Sequence, residues 1–513
     1  MENDVIEQHS LRNIKSGTLI GYISLFVNVV SGVLFVPLIL KQIGNLYGLF
    51  SLATSIVNLF LLDFGLSYTA NTFLAKKRTN GDTKGIKDIL GIFYKLYLLI
   101  DLFFLVFFVV YYFLIDFIYS GLTPTEAESF KVVFIICIGY SLISFPATIL
   151  DGTLSAYEEF GFIKISDLIQ RLVYIAFTVL TLVFHLGLYL FVFAHAISTI
   201  CAILLKYFYI RFKLQIKANL KIHLTKKILK PILSFSIWTA IISILARLPY
   251  NLSPNILGIV SDSKNVTIFG ISSTIEGYAY LISAVISGFF LPKVSRILKN
   301  ENNESLKELD KLAKRVAFIQ LFIICLIFSG FITCGKHFIS LWLGDFKTYE
   351  MAYYGTILVL FSLTISIPLT VYNNALFVKG NVKEVAVIDI ISVGLFAGLC
   401  FVFSKTMGAF GACLSILISK MVGVAGKLII YKIKLKSDIK HFLSSTYLKF
   451  FLPTLITSFF ILVLRQDAEV TWIEFFRSVV CCIAIFIILL MPFVDKDMIL
   501  TLKKVFKKNN SVK

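Results

Sequence analysis

Charge is scarce in this chain. Of 513 residues only 15% are charged, against 58% that are hydrophobic, and a soluble fold of this length lacks the interior to hide so much apolar surface. Metal-binding clusters are absent as well: the six histidines are scattered, with His195 alone in mid-span, and no Cys/His or acidic spacing suits a metal ion. No Gly-rich loop follows a soluble strand, and Gly85 sits in a short basic loop without a phosphate-binding pattern, which excludes transport driven by ATP on this chain. All eight cysteines lie in apolar spans, so they read as small core or lipid-facing residues and not as disulfide partners. No cofactor is expected.

What the chain has is long apolar runs. A hydrocarbon core about 30 Å thick is crossed by roughly 20 apolar residues, and about fourteen such stretches can be counted. They cover 17–40, 45–70, 89–115, 131–155, 165–184, 187–210, 231–260, 266–292, 316–340, 352–376, 385–404, 409–431, 449–465 and 475–494. The first ten residues are polar and acidic and the first apolar stretch runs on into further spans, so no cleaved signal peptide is expected.

The formal charge of +19 does not mark a nucleic-acid binder, because the basic residues gather in alternate loops. Loops after the second, sixth, eighth and twelfth spans carry runs such as Lys76-Lys77-Arg78 and Lys226-Lys227, whereas the opposite loops hold little beyond Lys41, Lys264, Lys347, Lys405 and Arg465. By the positive-inside rule the basic loops face the cytoplasm, and an even span count puts both termini there in the cytoplasmic membrane.

An internal repeat organises the spans. Ser144, Pro146, Thr148 and Leu154 match Ser366, Pro368, Thr370 and Leu376 at an offset of 222, and Asp167-Leu168-Ile169 then meets Asp389-Ile390-Ile391. A weaker match sets Leu49-Phe50 and Thr54-Ser55-Ile56 against Ile268-Phe269 and Ser273-Thr274-Ile275. Spans two, four and five thus pair with eight, ten and eleven, an even shift that keeps both copies in one orientation. The expected fold is an all-α integral membrane protein with two parallel-related six-helix lobes, 1–225 and 226–440, around a central cleft. Residues 441–513 add two further helices and a basic tail.

Polar residues within spans are the candidate site, since an ionisable group in the bilayer costs at least a few kcal/mol. Arg247, Asn251 and Asn255 fall at i, i+4 and i+8 on one helix face, beside Pro249 and Pro254, which frees backbone groups where a cavity or buried packing can take them up. Arg247 either lines that cavity or pairs with an acid to fix packing. Glu276, on a face with Ser273, Tyr280 and Ser283, either makes a structural ion pair, Arg247 being one candidate, or carries a coupling proton. Asn28, in a stripe with Ser24 and Ser31, and Asn58, with Ser51 and Thr54, either bind helices together or line a cavity. Asp63 and Lys95 complete the set, Lys95 close enough to a span end to snorkel. Asp151, Asn373 and Asn374 mark helix ends, as caps or as gate residues.

Tyr47-Gly48-Leu49-Phe50-Ser51, Leu62-Asp63-Phe64-Gly65-Leu66, Ala75-Lys76-Lys77-Arg78 and Gly81-Asp82 resemble the opening of bacterial polysaccharide transporters. These are the O-antigen (Wzx-type) flippases of the multidrug/oligosaccharidyl-lipid/polysaccharide superfamily. Pro368, Asn373-Asn374 and Gly380-Asn381-Val382-Lys383 are similar to the end of that family's tenth helix. The resemblance covers essentially the whole chain. It implies a flippase, not an enzyme, that moves a polyprenyl-diphosphate-linked oligosaccharide by alternating access, for O-antigen, capsule, exopolysaccharide or lipopolysaccharide synthesis. Cations line the cleft in such families, and Arg247 fits that position best. Implied partners are membrane lipids, the polysaccharide polymerase and chain-length proteins. A cation-coupled multidrug exporter of the same superfamily is the alternative. An O-antigen polymerase or ligase would need a long external loop, and the longest here, 116–130, is short.

Overall fold

The computed structural model describes residues 2–60, 66–222, 226–288, 290–299, 303–464 and 470–493, and among them all regular structure is helical. The helices are α1 (Glu2–Ile43), α2 (Leu46–Phe60), α3 (Leu66–Thr79), α4 (Thr83–Ile118), α5 (Pro124–Ala156), α6 (Phe160–Val183), α7 (Gly187–Phe208), α8 (Lys226–Val260) and α9 (Ser263–Gly288). They continue with α10 (Leu291–Ile297), α11 (Asn303–Leu343), α12 (Phe346–Ser366), α13 (Thr370–Val378), α14 (Val382–Lys434), α15 (Ile439–Ser445), α16 (Tyr447–Leu464) and α17 (Trp472–Leu490).

Each of the expected spans falls on helix. Span two is divided between α2 and α3, and span ten between α12 and α13, joined by a 3-10 turn at Ile367–Leu369 that contains Pro368. By length and composition, ten helical stretches among the described residues are able to cross a membrane. One of them, α14, has 53 residues and would measure about 80 Å if straight, far more than one crossing needs. It breaks at Gly408, whose φ of 56° and ψ of −134° turn the chain between spans eleven and twelve. A Cβ on Gly408 would lie 2.2 Å from Asn265 Oδ1, so both the left-handed backbone and the close neighbour require glycine here.

The chain packs as two compact units: 1–270 with 400–408, and 271–399 with 409–513. In the first, α1 packs on α6, α6 on α7, and α5 against α2, α3, α4 and α7. The pattern of α4 shows what holds such helices together in lipid. Phe93, Tyr97, Phe104, Phe108 and Ile115 recur every three to four residues and are buried, while Leu99, Phe103, Val106, Val110, Phe113 and Phe117 point outward and are exposed, as a lipid-facing surface requires. The buried stripe meets aromatic rings of α5. Phe145 receives Tyr97 and Phe104 edge-on at centroid distances of 5.1 Å each, and Phe134 receives Phe108 at 5.9 Å. At the far end of α5, Thr123 caps the helix and shares hydrogen bonds with Glu126, whose carboxylate also accepts from Ser263 Oγ at the start of α9. Before α4, hydrogen bonds from Lys77 and the Gly85 amide hold the Asp82 carboxyl below its usual range.

In the second unit α11 is the hub, packed against α12, α13, α16 and α17. Phe318 meets Phe450 of α16 at 4.9 Å, and Ser329 and Thr333 lie beside Cys482 of α17. All eight cysteines are unbridged, six of them buried, in keeping with a packing role.

Phe145→Ala is expected to cost about 3–5 kcal/mol by leaving a cavity under three helices. Leu99→Ala on the exposed face should change stability by less than about 0.5 kcal/mol. Thermal unfolding of the two variants in detergent micelles measures the contrast.

Candidate functional site

The site grows from a contact between α1 and α6. On α1, Ser24, Asn28 and Ser31 share a face, and Ser31 donates back to the Asn28 carbonyl oxygen at 3.1 Å. Across from them on α6 stands Arg171, on the polar half of the helix with Asp167 and Gln170. Its Nε and Nη2 donate to Ser31 Oγ at 2.9 and 2.7 Å, and Nη2 also reaches the Asn28 carbonyl oxygen at 3.2 Å. The guanidinium lies 5.2 Å from the centre of the Tyr174 ring. Two helices are thereby joined through a planar cation that remains charged at any pH the cell reaches.

Beside this contact is a cavity of about 290 Å³, lined by Ser24 and Asn28 of α1, Asp167, Gln170, Arg171 and Tyr174 of α6, and His195 and Ser198 of α7. Gln170 Nε2 donates to Thr199 Oγ1 at 3.2 Å, and the His195 ring is bordered by Tyr140, Tyr174 and Phe50. Below the cavity a charge cluster extends to the helix ends. Lys206 of α7, 10% exposed, bridges Asp151 at 2.8 Å and Asp167 at 3.2 Å, and Lys164 also reaches Asp167 at 3.2 Å. Of these charged groups Arg171 and Asp167 line the cavity, with Lys206 and Lys164 on Asp167, so the wall offers one cation and several hydrogen-bond donors beside a carboxylate that two lysines neutralise.

Part of the cluster is duplicated. Asp389, the repeat partner of Asp167, is bridged by Lys427 at 2.7 Å. Asn373, the partner of Asp151, accepts from Tyr431 Oη at 2.7 Å, and Tyr209, which matches Tyr431, donates to Glu159 at 2.8 Å. The cavity itself is not duplicated: in the same register Arg171, Gln170 and His195 meet Val393, Ser392 and Leu417. Each matched aspartate thus carries a lysine, though Lys206 and Lys427 stand one position apart in the register, and the residues that line the cavity at Arg171 are not repeated in the second copy.

The other residues singled out from sequence are dispersed. Asn255 is buried and fully engaged: its amide donates to Ser55 Oγ at 2.9 Å and to the Asn251 carbonyl oxygen at 2.7 Å, and Tyr119 donates to its oxygen at 2.9 Å. Arg247 lies half-buried on α8 with its guanidinium 5.8 Å from the Tyr250 ring centre. Lys95 donates to the Ile222 carbonyl oxygen at 2.7 Å, Asn58 is exposed on α2, and Asn374 is half-buried on α13. Glu276 is buried in α9, in the second unit. Asp63 lies outside the described residues. Of the residues that sequence singled out for substrate binding, Asn28 is the one in the cavity wall. Arg171, Gln170 and Lys206 escaped notice, although an Arg within the span 165–184 meets the same criterion that drew attention to Arg247.

Comparison with known proteins now adds its weight. A family model described as "Lipid II flippase MurJ" matches residues 72–482. The chain belongs to this family. A solved structure described as "Lipid II flippase MurJ, inward closed conformation" is similar over 92% of this chain and 97% of its own, with a TM-score of 0.73 at 16% identity. An inward-facing multidrug resistance MATE family transporter of the MOP superfamily covers 80% of this chain and 94% of its own, with a TM-score of 0.58 at 14% identity. MATE in complex with MaL6 also reaches 0.58, at 13% identity, over 83% of this chain and 96% of its own. At these identities the likeness is one of fold. No curated protein sequence matches. As a member of the MurJ family the chain is a multi-pass membrane transporter and not an enzyme.

Lys206→Met leaves Asp151 without its cation and Asp167 with Lys164 alone, and, with both carboxylates partly in water, should cost about 1–2 kcal/mol of stability. Adding Asp151→Asn is expected to restore most of the loss; melting curves of the single and double variants give the coupling.

Proposed function

We propose that this chain is a flippase that carries a polyprenyl-diphosphate-linked glycan across the cytoplasmic membrane by alternating access. The observation that carries the proposal is Arg171, held at the wall of a polar cavity inside a member of the MurJ family. A sugar diphosphate is anionic and rich in hydroxyls, so taking it out of water requires a fixed cation and many hydrogen-bond partners, while its lipid tail stays in hydrocarbon. Arg171, Gln170, His195 and Asn28 supply that chemistry within one unit. A cavity of about 290 Å³ suits the diphosphate with its first sugar and leaves the remaining glycan outside. Arg247 is assigned as a second cation on the route of the head group, and Asp151, Asn373 and Asn374 as gate residues. Two six-span lobes, 1–225 and 226–440, with 441–513 added, remain the domain organisation we favour.

Two glycans compete. The opening motifs from Tyr47 to Asp82 favour a repeat unit for O-antigen, capsule or exopolysaccharide, delivered to a polymerase with its chain-length proteins. The name of the matching family favours lipid II. An organic cation, the cargo of a drug exporter, would meet the Arg171 guanidinium and an Asp167 carboxylate already bridged by Lys206 and Lys164, which argues against it.

Deletion of the gene, followed by assay of surface polysaccharide, cell-wall synthesis and the leaflet in which lipid-linked precursors accumulate, separates these readings. Loss of surface polymer with its precursor held on the cytoplasmic side supports the repeat unit; arrested wall synthesis with lipid II held there supports lipid II. Arg171→Ala is expected to reduce transport at least about a hundred-fold at normal protein abundance, as loss of a charge-assisted contact implies. Arg171→Lys should keep a part of it. Full transport by Arg171→Ala would contradict the assignment of this cavity.

A further inference from the structure

A second cavity in the first unit, of about 530 Å³, is built from different chemistry. Its walls are α4, α5, α7 and the segment that follows α7, and nearly all of its lining is apolar, including Leu90, Pro146, Ala147, Leu150 and Ile203. The outer wall exists because the chain doubles back. After α7 a π-helical turn at Tyr209–Lys213 and a left-handed Gln215, with φ of 55°, send residues 216–222 along α4. There the backbone amide of Asn219 donates to the Lys87 carbonyl oxygen at 2.8 Å, and its side chain donates to Asp88 at 2.7 Å. Lys95 holds the Ile222 carbonyl at 2.7 Å. Gly91 allows the approach, since a Cβ at that position would stand 1.9 Å from the Asn219 carbonyl oxygen.

The mouth is formed by large apolar side chains that are about half exposed, Ile143, Leu204, Tyr207 and Leu220, so the cavity opens sideways toward hydrocarbon and not only to water. At one end stand two cations, Arg211 and Lys217. Neighbouring lysines are occupied: Lys206 by two carboxylates, Lys95 by a carbonyl, Lys213 by the Tyr209 ring at 4.7 Å. Arg211, whose guanidinium lies 5.9 Å from the Phe212 ring centre, and Lys217 form no ion pair with an acid among the described residues.

We infer that this cavity is a binding site for an anionic diacyl phospholipid, with its phosphate on Arg211 and Lys217 and an acyl chain between α4, α5 and α7. Basic pockets between spanning helices recognise anionic head groups in this way. The volume of about 530 Å³ lies in the range of small-molecule sites and takes a head group with part of one acyl chain, the rest of the lipid lying outside the cavity. The site is separate from the polar cavity at Arg171, shares no lining residue with it, and does not depend on which glycan is carried. A lipid there would brace the folded-back segment against α4 and so make the unit's packing sensitive to the composition of the leaflet.

Native mass spectrometry of the full chain, released from neutral detergent, tests this with phosphatidylglycerol and phosphatidylcholine of identical acyl chains. The wild type is expected to retain phosphatidylglycerol about ten-fold more than phosphatidylcholine, and Arg211→Gln with Lys217→Gln to erase that preference. Ala147→Phe, which fills the apolar part, should lower retention of both lipids. Lys213→Gln should leave the preference intact. Melting temperatures in lipid-free detergent, unchanged for the charge variants, separate lost binding from lost folding. Equal retention of the two lipids by the wild type, or an equal loss with Lys213→Gln, would overturn the site. Preferential retention of a polyprenyl phosphate over phosphatidylglycerol would overturn its occupant.

Discussion

Hydrocarbon offers no hydrogen bonds, and the arrangement of this protein follows from that constraint. Backbone groups are satisfied inside helices, and most polar side chains within the spans are satisfied by their own helix. Thr54 donates to the Phe50 carbonyl, Ser55 to Leu52, Thr153 to Ile149, Thr356 to Ala352 and Ser415 to Gly411. Such residues allow close helix approach without asking anything of a neighbour. Against this background, other side chains reach across helices, among them Arg171 to α1, Lys206 to α5 and α6, Asn255 to α2, Gln170 to α7 and Tyr431 to α13. A charge that crosses helices in lipid ties packing to electrostatics, so the cavity and the framework share residues.

The fold was legible in the sequence because lipid imposes a length and a composition on each span. Among the described residues the apolar stretches are almost wholly helical, ten helical stretches being long and apolar enough to span, and Gly408, between the eleventh and twelfth, is the break within α14. The repeat was read from a few matched residues such as Asp167 with Asp389; each of these two carries an ion pair, to Lys206 and to Lys427, lysines one position apart in that register. Less of the site could be read. Spacing put Ser24, Asn28 and Ser31 on one face and left open whether that face glued helices or lined a cavity. It does both: Ser31 anchors Arg171, and Asn28 lines the space beside it. Asn255 had the same signature and is spent on Ser55, Asn251 and Tyr119, because its neighbours come from α2 and α4, far away in the chain. Helix spacing identifies a face; which helix meets that face is a property of the tertiary structure.

Divergence between the repeats says where specialisation occurred. Each unit sets a lysine on its matched aspartate, Lys206 on Asp167 and Lys427 on Asp389, although in that register Lys206 itself meets Leu428. Arg171, Gln170 and His195 meet Val393, Ser392 and Leu417 in the second copy, so the charge and the ring that line the first unit's cavity have no equivalent at those positions. The family is that of the lipid II flippase MurJ, and the fold is shared with a MurJ structure and, at a lower TM-score, with MATE transporters. What distinguishes the cargo must lie in side chains such as these, since the common framework accommodates both classes.

The central claim is that the first unit holds a hydrated, cation-bearing cavity that takes the head group of a lipid-linked glycan. Ser24→Cys, in the cavity wall and away from the ion pairs, tests it most directly through labelling with a charged, membrane-impermeant thiol reagent in oriented vesicles. The account predicts labelling from one side of the membrane, lost when lipid-linked substrate is supplied and retained when only phospholipid is added. A cysteine there that never reacts from either side, or that reacts equally with and without substrate, would contradict it.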